Sequence, residues 1–296
     1  MSRPVEPTPR SLILDLLSTL GRRAAPVRAL VEAAGLFGIR ENSLRVALVR
    51  LVADGLVERD RRGEYGLGAA AQALNREIRS WRRLEERVAR WSGDWLAAHT
   101  AALGGGSARE RRLRARALRF LGFRPLAPGL ELRPANLAGG SVAGGSEGVR
   151  ERLAGLGLQA PGLVFRIAEL DPEGDARARA LWDGRALVKS YRATRATLEK
   201  SARRLAERPV AAARVESFRL GGAAIRQLVL DPLLPEPIVP AAERRALLEA
   251  ARRYDRLGRA VWAGWLEGIV DEPRDCPAGV RGPRPGADPW AAAQGA

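Results

Sequence analysis

The chain is poor in the residues that carry most site chemistry. Its 296 residues include one cysteine, Cys276, and one histidine, His99. A single cysteine excludes an internal disulfide framework and a CxxC zinc site. A single histidine excludes a multi-histidine metal site, and it leaves a histidine-based triad only if His99 itself serves. These counts lead to the expectation of a protein without a structural metal; no residue is assigned a catalytic role and no resident cofactor is assigned. Lysine is almost missing too: of 50 basic residues only Lys189 and Lys200 are not arginine. No apolar run reaches the ~18 residues of a membrane span. The opening MSRPVEPTPR lacks the hydrophobic stretch of a secretory signal. A reduced, cytoplasmic protein that is not membrane-bound is expected.

What is abundant is positive charge. Fifty Lys and Arg against 34 Asp and Glu give +16 at pH 7 and a pI near 11.4. Such a balance favours polyanionic partners and says nothing about fold. Richness in Arg, Ala, Gly and Leu also fits a GC-rich coding sequence, which accounts for part of the excess. With 46% hydrophobic and 28% charged residues the composition is that of a globular protein, and the length predicts two or three domains.

Residues 1–9 hold three prolines and read as a flexible arm. Leu12, Ile13, Leu16, Leu17 and Leu20 recur at helical spacing, and Gly21 ends that helix. Val27, Leu30, Val31 and Ala34 mark a second helix, GLFGI (35–39) a turn, and RENSLRVALVRLVAD (40–54) a third helix closed by Gly55. LVERDRRGEYGL then alternates apolar and polar residues around Arg62-Gly63, the pattern of a β-hairpin. Helix, helix, turn, helix and hairpin over residues 10–68 predict a winged helix-turn-helix. Residues 69–91 read as a connecting amphipathic helix. Over 92–172, a strand at 94–100, a helix at 108–121, strands near 125–133, a helix near 147–156 and a strand at 162–170 predict a ferredoxin-like unit. Its stretch 138–148 reads as a mobile glycine-rich loop. Residues 173–270 predict a mainly helical C-terminal domain. Within it DPLLPEPIVP (231–240) is an extended connection, and 241–270 a long helix or helix pair striped by Leu247, Ala251, Tyr254, Val261 and Trp265. Five prolines and four glycines after Asp271 predict a disordered tail, 271–296. The fold class is α+β.

On a wheel, the third helix puts Leu44, Ala47, Leu48 and Leu51 on one arc. Asn42, Val46, Val49 and Ala53 lie on the other, flanked by Ser43, Arg45 and Arg50. A recognition helix needs such a face, because arginine pairs with guanine, asparagine with adenine, and valine methyls with the thymine methyl. The candidate base-reading residues are Arg40, Asn42, Ser43, Arg45, Val49 and Arg50. Arg59, Arg61 and Arg62 are the candidate wing contacts to phosphate. The competing reading is an amphipathic helix with a solvated arginine face.

These stretches resemble a known family. SLILDLL with GIRENSLRVALVRLVADGLVERDRRGEYGL is similar to the N-terminal domain of the PaaX family, repressors of phenylacetate catabolism and related bacterial regulators. RSWRRLEERVARWSGDW, RRLRARALRFLGFRPLAPGLELRPANL, and LWDGRALVKSYR with DPLLP continue the resemblance in order, so it spans residues 10–268. It implies a winged helix, a Cas2-like ferredoxin-like middle domain, a helical effector and dimerisation domain, and a homodimer that leaves double-stranded DNA when an acyl-coenzyme A thioester binds. GGAAIRQLVL (221–230) and AAERRALL (241–248) depart from the family pattern, both in the effector half.

Three readings stay open for the helix SARERRLRARALRFLGF, with six arginines from Arg109 to Arg119. It is a solvated face, a second set of DNA-phosphate contacts through Arg109, Arg111, Arg112 and Arg116, or a cradle for coenzyme A phosphates. The alternative function is a metal-dependent nuclease of Cas2 type, for which Asp94 is the candidate carboxylate. A DNA-binding protein without effector control is the third possibility weighed.

Overall fold

The computed structural model describes residues 6–20, 24–100, 107–138, 145–156, 158 and 162–270. Most of the arm, the turn at 104–106, most of the glycine-rich loop, and the tail with Cys276 lie outside these residues. The chain divides into two compact units. One holds residues 1–79, 197–224 and 251–296, the other 80–196 and 225–250. The long C-terminal helices therefore contribute residues to both units, where the sequence alone predicts domains in simple succession.

The first unit opens with α1 (Pro9–Leu20), α2 (Val27–Gly35) and α3 (Glu41–Ala53), then β1 (Val57–Arg59), β2 (Tyr65–Leu67) and α4 (Ala69–Arg79). α1 starts one residue into the stretch read as an arm, because Pro9 fits the first helical position and Thr8 Oγ1 accepts from the Ser11 N–H. Leu12, Ile13, Leu16, Leu17 and Leu20 of α1 are buried against Leu30, Ala33 and Ala34 of α2 and Leu44, Leu48 and Leu51 of α3. Gly55, with φ +69, stops α3. Two residues later β1 pairs antiparallel with β2, Val57 opposite Leu67 and Arg59 opposite Tyr65. Gly68 lies so close to Gly55 that an added Cβ would sit 2.3 Å from its carbonyl oxygen. Only glycine allows the hairpin to return there.

The continuous helix expected over 69–91 is corrected. α4 ends at Arg79, and tight turns run to Arg87 through a non-helical Arg83. Burial of Trp81 and Leu84 accompanies the break, and Val88 bridges to Leu137.

In the second unit β3 (Trp95–His99), α5 (Ala108–Phe120), β4 (Arg124–Ala127), β5 (Leu130–Pro134), α6 (Ser146–Gly155) and β6 (Leu163–Ile167) follow in order. The sheet order is β4-β5-β3-β6 and every neighbour is antiparallel. Each strand–helix–strand unit is thus split by a strand of the other. Central β3 buries Trp95, Leu96, Ala97 and Ala98, so both its faces are covered. α5 starts on a capping box. Ser107 Oγ accepts from the Glu110 N–H, and Glu110 accepts from the Ser107 N–H, which holds the Glu110 carboxyl below the usual range.

The remaining helices are α7 (Pro172–Arg179), α8 (Gly184–Ala202), α9 (Val210–Val229) and α10 (Ala241–Val270). The last is one helix of 30 residues, not a pair. Of its expected stripe Leu247, Ala251, Tyr254 and Trp265 are buried and Val261 is half-buried. In the second unit Arg133 of β5 is enclosed. Its guanidinium donates to the carbonyls of Leu121, Pro134 and Pro232 and to Asn136 Oδ1, while Asn136 Nδ2 donates to the Leu233 carbonyl. Burial pushes Arg133 down to about 9, still charged at neutral pH. The DPLLP stretch is thereby anchored by two β5-end side chains.

Candidate nucleic-acid interface

The three leucines of α3 are the reason its other arc faces outward. With Leu44, Leu48 and Leu51 in the core, Asn42, Ser43, Arg45, Val46, Val49 and Arg50 are all exposed. Arg40, extended at φ −68 and ψ 143, stands just before the helix and is also exposed. Val46 is 44% and Val49 70% accessible. Two exposed valines on one arc, ringed by polar and cationic side chains, make a face suited to contact rather than to hydration.

Arg45 is held by Glu41 one turn earlier, Nε to Oε1 at 2.7 Å and Nη2 to Oε1 at 2.6 Å. Both partners are more than half exposed, so the pair contributes only ~0.3–0.5 kcal/mol. A bidentate contact to guanine is worth about 1–3 kcal/mol, enough to draw Arg45 away. At the other end of α3, Asp54 is neutralised by Arg10 at 2.7 Å.

The hairpin tip is built by backbone and Asp60. Asp60 Oδ1 accepts from the N–H groups of Arg62 and Glu64, both at 2.9 Å, and Gly63 takes φ +80. Arg61 and Arg62 are therefore exposed at the tip with the turn closed beneath them. Arg59 lies over the Tyr65 ring, 5.8 Å from its centroid. A feature the sequence reading misses sits beside it. Ala25 exchanges two backbone hydrogen bonds with Tyr65, so the hairpin gains a third, single-residue strand. A one-residue bridge has no periodicity to reveal it.

The sequence-derived candidates are thus brought together in part. The α3 and hairpin residues share the first unit. Arg109, Arg111, Arg112 and Arg116 lie on α5 of the second. Arg112 is exposed, while Arg109, Arg111 and Arg116 already engage neighbouring groups. His99 ends β3, half-buried, opposite Leu130 and Leu163. Asp94, the carboxylate weighed for nuclease chemistry, is ion-paired with Arg166. Among the described residues no group of three His, Cys, Asp or Glu is placed to hold a metal ion, and no helix is long and apolar enough to cross a membrane.

The second unit also carries a groove of about 460 Å³ lined by Arg185, Val188, Lys189, Arg192, Ile238 and Pro240. Arg192 is ion-paired with Glu243. Nearby in sequence, Asp231 is enclosed with Tyr191 and Arg244. Burial pushes its carboxyl up, against the Tyr191 hydroxyl, Arg244 and the Leu233 N–H. These residues give no spacing signal, since they come from three separate stretches.

The first unit thus sets a helix with a mixed apolar and cationic exposed face directly before a basic hairpin on the same core. Residues 8–71, which span these elements, match the model of the family described as PaaX-like protein. That agrees with the resemblance read from the sequence, and the family is one of transcriptional regulators. Among solved structures the chain is similar to the uncharacterized protein Rv0674 from Mycobacterium tuberculosis. Identity is 25%, the TM-score is 0.54, and the match covers 86% of this chain and 98% of that one. No curated protein matches.

Proposed function

We propose that the chain is a dimeric, sequence-specific transcriptional repressor and not an enzyme. Residues 10–68 act as a winged helix-turn-helix, with α3 in the major groove and the hairpin on the phosphates. The carrying observation is the outward arc of α3, where Val46 and Val49 stand exposed between Asn42, Arg45 and Arg50. Arg40, Asn42, Ser43, Arg45, Val49 and Arg50 then read bases, and Arg59, Arg61 and Arg62 bind backbone. The family match over 8–71 supports the same reading. The split, all-antiparallel sheet supports a ferredoxin-like middle domain of Cas2-like type over 92–172.

The effector in this reading is an acyl-coenzyme A thioester. Such a ligand needs cations for its phosphates and an apolar wall for its acyl chain. The groove fits on chemistry, setting Arg185, Lys189 and Arg192 beside Val188, Ile238 and Pro240. The arginines of α5 are the competing phosphate site.

The test is selection of a duplex from a randomised pool by the full chain, followed by titration at several salt concentrations. The expected result is an enriched sequence bound at least 10³-fold more tightly than random DNA, without strand cleavage. Equal affinity for every sequence overturns the reading.

A further inference from the structure

The turn between α2 and α3 is gripped by the far end of the chain. Phe37 lies in that turn, between the Phe37 N–H bond to the Ala34 carbonyl and the positive-φ Gly38. Its ring meets Phe218 of α9 edge-on, centroids 5.0 Å apart and planes at 62°. Phe218 in turn lies 6.2 Å from Trp262 of α10, and Trp262 packs edge-on against Trp265 at 5.3 Å. Trp265 Nε1 donates to the Ala29 carbonyl of α2, at 3.2 Å. Trp262 and Trp265 are buried in the same core as the leucines of α1 and α3, with Phe37 and Phe218 packed against it. Arginines stack on two rungs of the ladder. Arg219 lies over Phe37 and is ion-paired with Glu6, and Arg214 lies over Trp262. All these residues belong to the first unit.

We infer that Phe37, Phe218, Trp262 and Trp265 are positioning residues for base reading, which fix the angle at which α3 leaves the turn. The inference rests on the proposed DNA-reading role of α3. The α2–α3 turn is short and its backbone bonds fix only its local shape. α3 is 13 residues, ~20 Å long at 1.5 Å per residue. A tilt of roughly 10° at the turn therefore moves its far end by roughly 3 Å, more than a base-edge hydrogen bond tolerates. Contacts to phosphate survive such a shift, because long arginines re-aim and the backbone repeats. Loss of the ladder thus lowers affinity for the selected sequence and spares affinity for random DNA. A general loss of folding lowers both.

The experiment uses the full chain and the duplex that the wild-type protein selects from a randomised pool. Phe218→Ala and Phe37→Ala are each compared with Phe218→Tyr, which keeps the ring. The expected result is a tenfold or greater drop in the ratio of selected to random affinity for each alanine variant. Random-DNA affinity stays within twofold, the double variant is no worse than the weaker single one, and Phe218→Tyr restores the ratio to within threefold. If Phe218→Ala does not fold, Phe218→Leu decides by the same ratio. A folded variant that loses the ring and keeps the ratio overturns the inference and leaves the DNA-binding role standing. A wild-type chain that selects no sequence overturns both.

Discussion

Arg45 shows what a single side chain costs and gains on this surface. Its pair with Glu41 is exposed, so breaking it costs little, and its removal leaves the leucine core untouched. Arg45→Ala should therefore weaken binding to the selected duplex by about 1–3 kcal/mol. The midpoint of urea unfolding should move by less than ~0.5 kcal/mol equivalent. Titration on selected and random duplexes separates roles: an equal loss on both would make Arg45 a phosphate contact. Arg133 is the opposite case. It is fully enclosed and bonded to three carbonyls and an amide oxygen. A lysine keeps the charge but has neither the reach nor the fork to serve acceptors on both sides. Arg133→Lys should destabilise by about 2–4 kcal/mol, read from chemical denaturation at unchanged m. A loss below about 1 kcal/mol would mean that water satisfies those carbonyls instead.

The hairpin carries the argument at the scale of an element. Asp60 Oδ1 and the backbone groups of Asp60, Gly63 and Glu64 close its turn, so the closure does not run through the arginine head groups. Replacing Arg61 and Arg62 together by alanine should leave the fold intact and lower affinity on every sequence. It should also reduce the log–log salt slope by roughly 1–2, about 0.9 for each phosphate no longer neutralised. An unchanged slope takes the hairpin off the phosphates. This element was legible in the sequence because RDRRGEYG combines alternation with a turn glycine. The three helices before it were legible from leucine spacing, and so was the strand–helix order of the second unit. The bridge of Ala25 to Tyr65 was not, nor was the ladder from Phe37 to Trp265. Those contacts join residues up to 236 positions apart, and periodicity reports only which face of an element is buried, never against what. The break at Arg83 was hidden for a related reason: the arginine-rich stretch has helical composition, and burial of Trp81 and Leu84 accompanies the departure from it.

At the scale of the whole molecule the open matter is how DNA affinity would be controlled. Four residues of the α10 stripe, Leu247, Ala251, Tyr254 and Trp265, are buried within the chain, while Val261 is half-buried and Leu257 exposed. The case for a dimer rests on reading length. One helix in one major groove covers a few base pairs, and a two-fold pair of such helices doubles the site. A selected sequence should then be an inverted repeat with half-sites about one helical turn apart, and light scattering should give twice the 32.0 kDa chain mass. A monomer at micromolar concentration bound to one half-site refutes this. Control by a thioester demands more, because a ligand shifts an equilibrium only by its differential affinity for the two states. The groove beside Arg185, Lys189 and Arg192 can supply that difference only if its cations hold the ligand phosphates. Lys189 lies between Arg185 and Arg192 along α8, outside the Arg192–Glu243 pair. An aryl- or alkyl-acyl-coenzyme A should therefore lower affinity for the selected duplex at least fivefold, the lower end of ordinary coupling. Lys189→Glu should abolish that response while leaving ligand-free DNA binding within twofold. A full response in Lys189→Glu moves the phosphate site to the arginines of α5. No response in the wild-type chain to any thioester of the panel makes this a DNA-binding protein without effector control, and the departures at 221–230 and 241–248 become its structural correlate.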